Sequence, residues 1–274
     1  MAGAGKNSAF EPRPGVVVVG AGKGGVGTSV LSTMLAIGAA QRGENVLLVD
    51  ADEAVGSLHM MLGITDPGPG LGSLRAGRGE PEALLVPVDS GLTLFPGGGG
   101  GVDATLIAAS AERRILLARV AALYERFSTV IVDGGSRLDS VMAACGAGAE
   151  RLLCVTAPDR IALAASYALF KVARARFDTL PVELIVNSAD ERKGRGLHAV
   201  VRAATQSFLG TDVLFGGTIP IDERLESCLE AGESLAQLDA AFGAAAAAGS
   251  IAHRLLAERQ AGEAASRGVI TLLS

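Results

Sequence analysis

The sequence predicts an α/β protein: a doubly wound, mostly parallel sheet with helices on both faces. Strand-like runs alternate with helical patterns along nearly the whole chain. The runs are continuously apolar, as suits strands of a parallel sheet buried on both faces. Glycine occurs 37 times and aromatic residues make up 4% of the chain, a composition that favours close helix–sheet packing over a β-sandwich.

Residues 1–13 are small, polar and proline-containing and read as a disordered lead-in. Val16-Val17-Val18-Val19 is the first strand, and a glycine-rich turn carries it into a helix over 28–42. Val30, Leu31, Met34, Leu35 and Ile37 have helical spacing, and Gly43 is a natural C-terminal cap. Residues 45–50 form a second buried strand and complete a βαβ unit. The Gly- and Pro-rich stretch 65–91 reads as a mobile excursion with one or two helical turns. Residues 92–95 suggest a strand; the glycine run 97–101 after it is either a linker or a wall of a ligand site. Helices are then predicted over 106–127, 138–147, 161–177 and 197–209, alternating with strands over 129–133, 152–156, 182–187 and 213–219. Helices over 222–231 and 240–259 close the pattern. No composition break divides it, so one domain over 14–259 is expected, with 260–274 as a tail.

At 274 residues and 49% hydrophobic, the chain can bury a substantial core. A net charge of −5 gives no electrostatic nucleic-acid signal. Cys145, Cys154 and Cys228 are widely spaced and read as buried free thiols of a reducing compartment. Neither they nor His59, His198 and His253 show a metal-binding spacing. There is no signal-peptide pattern, and no apolar run approaches the roughly 20 residues that span a bilayer. A cytoplasmic protein is expected.

Gly20-Ala21-Gly22-Lys23-Gly24-Gly25-Val26-Gly27-Thr28-Ser29 reads as a phosphate-binding loop. Gly22, Gly27 and Ser29 fit the spacing G-x-x-x-x-G-K-[ST], in which backbone N–H groups and a lysine hold phosphates and a hydroxyl ligates magnesium. Thr28 stands where that lysine belongs. The glycines let a pyrophosphate approach the backbone, and N–H groups at the helix start near Gly27 and Thr28 carry partial positive charge. Residues 20–25 with Asp50 also mimic a dinucleotide fingerprint, so an NAD-dependent oxidoreductase competes. The continuation of the loop to a hydroxyl pair weighs against it.

Asp50 ends the second strand, Asp52 follows two residues on, and Asp133 ends a later strand. Carboxylates at strand ends point to the ligand side of such a sheet. In phosphoryl transfer one would hold magnesium-bound water and another would orient the attacking water. Any one alone would read as a helix cap; their convergence on the loop points to a nucleotide site.

Lys23-Gly24-Gly25-Val26-Gly27-Thr28-Ser29 resembles the deviant Walker A loop, K-G-G-x-G-K-[ST], of the MinD/ParA family of P-loop ATPases. Val46-Leu47-Leu48-Val49-Asp50-Ala51-Asp52 resembles the family's second strand and first switch, and Val130-Ile131-Val132-Asp133 its Walker B strand. Within the family the FlhG (YlxH/FleN) branch fits best. Leu94-Phe95-Pro96-Gly97-Gly98-Gly99 resembles its P-G-G-S-G loop. Val155-Thr156-Ala157-Pro158-Asp159 and Ser166-Tyr167-Ala168-Leu169-Phe170-Lys171 resemble its T-x-P-E and D-A-Y-A-L-I-K stretches. Phe208-Leu209-Gly210 and Ile219-Pro220-Ile221-Asp222 are similar to its closing segment. The resemblance extends from about Gly15 to Leu256.

It implies a MinD-like fold and an ATP-dependent homodimer that closes face to face around two nucleotides, with ATP/ADP and Mg2+ as cofactors. The implied biology is control of flagellar number and placement, through protein partners of a polar, flagellar or pilus assembly. Carried onto this chain, Gly22, Gly24, Gly25, Val26, Gly27 and Thr28 would cradle the phosphates, and Lys23 would reach them across the dimer interface. Ser29 would ligate magnesium, Asp50 and Asp133 would support the magnesium shell, and Asp52 would position the hydrolytic water. Asn187 and the turn Pro220-Ile221-Asp222 would contact adenine.

The chain departs from the family pattern at Thr28 and in its tail. Thr28 removes a charge-assisted hydrogen bond worth roughly 1.5–3 kcal/mol, which implies weak ATP binding or slow hydrolysis. The pilus-localising TadZ/CpaE branch also resembles this loop in lacking the lysine, and a non-hydrolysing scaffold of that kind is the alternative. The tail, 264–274, carries Arg267 as its sole cation, and Val269-Ile270-Thr271-Leu272-Leu273 reads as strand-like. A basic amphipathic helix is the usual membrane-targeting signature. Weak or absent membrane association, at most peripheral at the inner face, is therefore expected.

Overall fold

Consecutive valines fill most of the first strand, β1 (Val16–Ala21), in a computed structural model describing residues 11–53, 56–75, 79–89, 91–98 and 110–272. Successive side chains of a strand point to opposite faces. Val16 and Val18 accordingly enter one apolar layer, and Val17 and Val19 the other. The run is continuous because both faces are covered.

Strands β2 (Val46–Asp50), β3 (Val86–Asp89), β4 (Leu92–Phe95), β5 (Thr129–Asp133), β6 (Arg151–Thr156), β7 (Val182–Asn187) and β8 (Leu214–Ile219) complete an eight-stranded sheet. Its order is β3-β4-β2-β5-β1-β6-β7-β8, and every pair is parallel except β3 with β4. The helices are α1 (Thr28–Ala40), α2 (Leu58–Met61), α3 (Leu71–Arg75), α4 (Ser110–Ala121), α5 (Leu138–Gly146), α6 (Arg160–Arg176), α7 (Glu191–Leu209), α8 (Glu223–Ala231) and α9 (Gly243–Leu272).

Leu31 and Leu35 of α1 and Ala248 and Ile251 of α9 pack on one face of the sheet. Leu117 of α4, Val141 of α5, Phe170 of α6 and Val201 of α7 pack on the other. The doubly wound expectation holds. The three cysteines are free and buried, as expected from their surroundings.

Several elements differ from expectation. The edge strand β3 lies in the stretch read as an excursion, alongside the expected helical turns at Leu71–Arg75 and Pro81–Leu84. Pro87 hid it, since proline is excluded from all but edge strands. Helix α7 starts at Glu191, before the apolar pattern does, because the Asp190 side chain accepts from the Lys193 N–H and caps a polar first turn. The tail read as strand-like is instead the end of α9, which continues to Leu272. Val269, Ile270 and Thr271 favour strands in isolation. Here they extend a helix already nucleated, where each added residue gains a hydrogen bond cheaply. The predicted lead-in at 1–10, helix start at 106–109 and glycines 99–101 lie outside the described residues.

Candidate functional site

Strand β1 sits where the chain reverses direction across the sheet, with β5 on one side and β6 on the other. Ligands of open α/β sheets bind at that point, beyond the carboxyl ends of the strands. The loop after β1 opens there. The end of β1 is held to the loop after β5 by the Gly134 N–H donating to the Val19 carbonyl at 2.8 Å and the Ala21 N–H donating to the Gly135 carbonyl at 2.9 Å.

Gly27 is the N-cap of α1. Its φ of 88° is one that side-chain-bearing residues rarely adopt. A Cβ there would also lie 2.4 Å from the Asn187 amide nitrogen. That amide, at the end of β7, donates to the Val26 carbonyl at 2.9 Å and fixes the loop from two strands away. No side chain caps α1, and its first turn holds no acid. The helix start therefore presents its N–H groups and positive dipole end to the cleft as an anion-binding feature. The cleft has a volume of about 330 Å³ and is walled by Gly24, Gly25, Gly27, Thr28, Ser29 and Val30, by Ala51, Asp52 and Met61, and by Gly134, Gly135, Ser136, Arg137 and Ser140.

The acids gather beneath it. Asp50 and Asp133 are register partners on β2 and β5, and both are buried. Asp50 accepts from the backbone N–H groups of Asp52 at 3.0 Å, Ser57 at 2.9 Å and Leu58 at 3.2 Å. Burial and then the charge of Asp133 push its carboxyl up to about 7. Burial also raises Asp133, opposed by the Ser29 and Ser32 hydroxyls and the Gly135 N–H. Two desolvated carboxylates beside a hydroxyl make a donor set of hard oxygens suited to a divalent cation. Asp52 lies in the cleft wall, and its carbonyl accepts from the Gly98 N–H at 2.7 Å. The described start of the glycine run thus braces the segment that carries Asp52.

Other expected site residues lie apart from the cleft. Lys23 pairs with Asp159 at 3.2 Å, each about two-fifths exposed. The other Asp159 oxygen accepts from the Ile161 and Ala162 N–H groups and caps α6. Those N–H bonds, Ala162 first, together with Lys23, hold the Asp159 carboxyl below its usual value. Val26 is buried in the core, with only its carbonyl engaged in the site. Gly22 lies against Ala165 of α6. Pro220 follows Ile219, the register partner of Asn187, so the turn begins beside Asn187 at the same end of the sheet. Ile221 is exposed, and Asp222 caps α8 through the Arg224 N–H and receives the Ala244 N–H at 2.9 Å. None of these three lines the cleft. Ser136 and Arg137 do, and sequence reasoning passed over them; their signal was their position directly after the strand that ends in Asp133.

A family described as ParA, NUBPL iron-transfer P-loop NTPase, matches residues 14–90, which include the loop, Asp50 and Asp52. The antiactivator FleN of Pseudomonas aeruginosa is 25% identical over 216 residues, spanning 78% of this chain and 76% of FleN. The structure of the septum site-determining protein MinD of Pyrococcus horikoshii, complexed with Mg-ADP, superposes with a TM-score of 0.73 at 21% identity, covering 88% of this chain and 95% of that one. The chain has the fold of the MinD/ParA P-loop NTPases. The flagellum site-determining protein YlxH of Helicobacter pylori is 27% identical over 183 residues, or 66% of this chain and 61% of YlxH. The MinD/ParA fold accounts for the place of the glycine-rich loop at the switch point and of the acids at the strand ends. Among the described residues, no helix is long and apolar enough to cross a membrane.

Proposed function

We propose that this chain is an ATP-binding switch of the MinD/FlhG kind, a nucleotide-dependent homodimer that regulates the placement or number of a cell-surface structure such as the flagellum. The observation that carries the proposal is the uncapped start of α1 at Gly27, opening into a cleft that also contains Ser29 and Asp52. The likeness to FleN and YlxH supports the flagellar reading. Residues 14–259 would act as one nucleotide-binding domain.

The loop backbone from Gly24 to Ser29 would hold the phosphates, and Asn187 with the neighbouring turn Pro220–Asp222 would meet the adenine. Ser29, Asp133 and Asp50 fit a magnesium ion, because the buried carboxylates are destabilised as they stand and a cation relieves that. Bound magnesium would neutralise phosphate charge during transfer. Asp52 would orient the attacking water and accept its proton. Lys23 would leave Asp159 to reach the partner's nucleotide in the dimer.

Thr28 makes turnover slow. A second reading, a non-hydrolysing scaffold, draws on Thr28 and on Lys23 being paired within its own chain. One comparison separates the two: ATP binding, turnover and oligomeric state, measured for the wild type, Lys23→Ala and Thr28→Lys. The switch reading expects ATP-dependent dimers that are lost in Lys23→Ala, and faster turnover in Thr28→Lys. Monomers indifferent to ATP in all three proteins favour the scaffold. Fast wild-type turnover that Thr28→Lys leaves unchanged refutes the role given to Thr28.

A further inference from the structure

We infer that Arg137 supplies the phosphate-binding cation that Thr28 removes from the loop. This role rests on the nucleotide reading above. A nucleotide's phosphates would enter a cleft whose wall carries the Asp52 carboxylate and whose floor lies near the buried acids Asp50 and Asp133. Backbone dipoles offset only part of that negative charge. Among the described residues that wall the cleft, Arg137 is the one cation; Lys23 is absent from the wall and is paired with Asp159.

Three observations place Arg137 for this work. Its loop is tied to the end of β1, from which the phosphate loop leaves, by the backbone bonds of Gly134 and Gly135. Its contact with Asp139 is long, 3.7 Å, beyond hydrogen-bond distance. The Asp139 oxygen nearest to it, Oδ2, meanwhile accepts hydrogen bonds from both Arg113 and Ser110. The Arg137 guanidinium, two-fifths exposed, therefore keeps its donors available to a ligand. Its planar guanidinium fork matches two phosphate oxygens at once. A threonine in the loop and an arginine after β5 together give the cleft the same net charge as a lysine alone.

The test is equilibrium titration of the purified full chain with fluorescent ADP and ATP analogues, with AMP and adenosine as competitors. Arg137→Ala and Arg137→Gln should weaken ADP and ATP about tenfold to a hundredfold, the loss of a charged hydrogen bond. Adenosine competition and the melting temperature should stay at wild-type values. Thr28→Lys added to Arg137→Gln should restore most of the affinity. Wild-type affinity for ADP and ATP in both Arg137 variants overturns the assignment, as does an equal loss of adenosine, which would mean a change in cleft shape. If the wild type binds no adenine nucleotide, the nucleotide reading itself falls and takes this role with it.

Discussion

Arg113 and Glu53 form an ion pair from which solvent is excluded on both sides, and Glu53 directly follows Asp52 in the cleft wall. Arg113 reaches Glu53 with Nε at 3.0 Å and with a second guanidinium nitrogen, and it also holds Asp139 of α5. One buried side chain thus links the segment carrying Asp52 to the helix that follows Arg137.

Removing one member of such a pair strands the other charge in the core. Arg113→Met is expected to cost about 3–5 kcal/mol, because the buried Glu53 carboxylate keeps its desolvation penalty and loses the Arg113 charge. Arg113→Met with Glu53→Met should recover much of that loss, since the buried Glu53 carboxylate goes with its partner while Asp139, about one-third exposed, keeps solvent and the Ser110 hydroxyl. Denaturant melts of the wild type, the single variant and the double variant decide it. A double variant no more stable than Arg113→Met counts against the pair as the source.

Asn187 acts on the loop through a single donated hydrogen bond. Asn187→Ala should lower stability by about 0.5–1.5 kcal/mol. Asn187→Asp keeps the shape but turns a carboxylate oxygen toward the Val26 carbonyl, and should cost more. Equal melting curves for the two variants would show that the hydrogen bond to Val26 is not what Asn187 contributes.

The buried acids predict a pH dependence. In the unfolded chain Asp50 titrates near its ordinary value of about 4, whereas in the folded chain it titrates at about 7. The folded state holds the proton more tightly. The stability this group contributes is therefore full below about 4 and is lost as pH rises through about 7. In nucleotide-free protein, the wild type should lose stability between about pH 5 and about pH 8, and Asp50→Asn should lose less over that range. A constant gap in melting temperature across that range would refute the raised carboxyl.

Helices α1 and α9 approach closely at a pair of glycines, where a Cβ on Gly38 would lie 3.3 Å from the Gly249 Cα. Gly38→Leu should gain up to about 1 kcal/mol of helix propensity but lose about 1–3 kcal/mol to overpacking. A net loss of stability is expected on chemical denaturation, and a gain would mean that the two helices separate without penalty.

Much of this protein was legible in sequence because its signals are local. Val16 to Val19, the glycine-rich loop and the acids at Asp50 and Asp133 each follow from the pattern of a strand buried on both faces, or of a strand end that meets a ligand. These determined the sheet, the switch-point loop and the acids beside it. Weaker local signals misled: Pro87 hid the edge strand, and β-branched residues near 270 disguised the end of α9. Both outcomes depend on neighbours, a paired strand in one case and an already formed helix in the other.

Only the tertiary structure decided which side chains share the cleft. Lys23 and Arg137 look alike as cations flanking glycines in the sequence. Asp159, 136 residues away in the chain, takes Lys23, while Arg113 bonds Asp139 closely and leaves Arg137, in the cleft wall, 3.7 Å from it. Those pairings join residues distant in sequence through the packing of α4, α5 and α6 on the sheet. Local periodicity carries no information about them, since the charge that reaches a site depends on which partners claim it first.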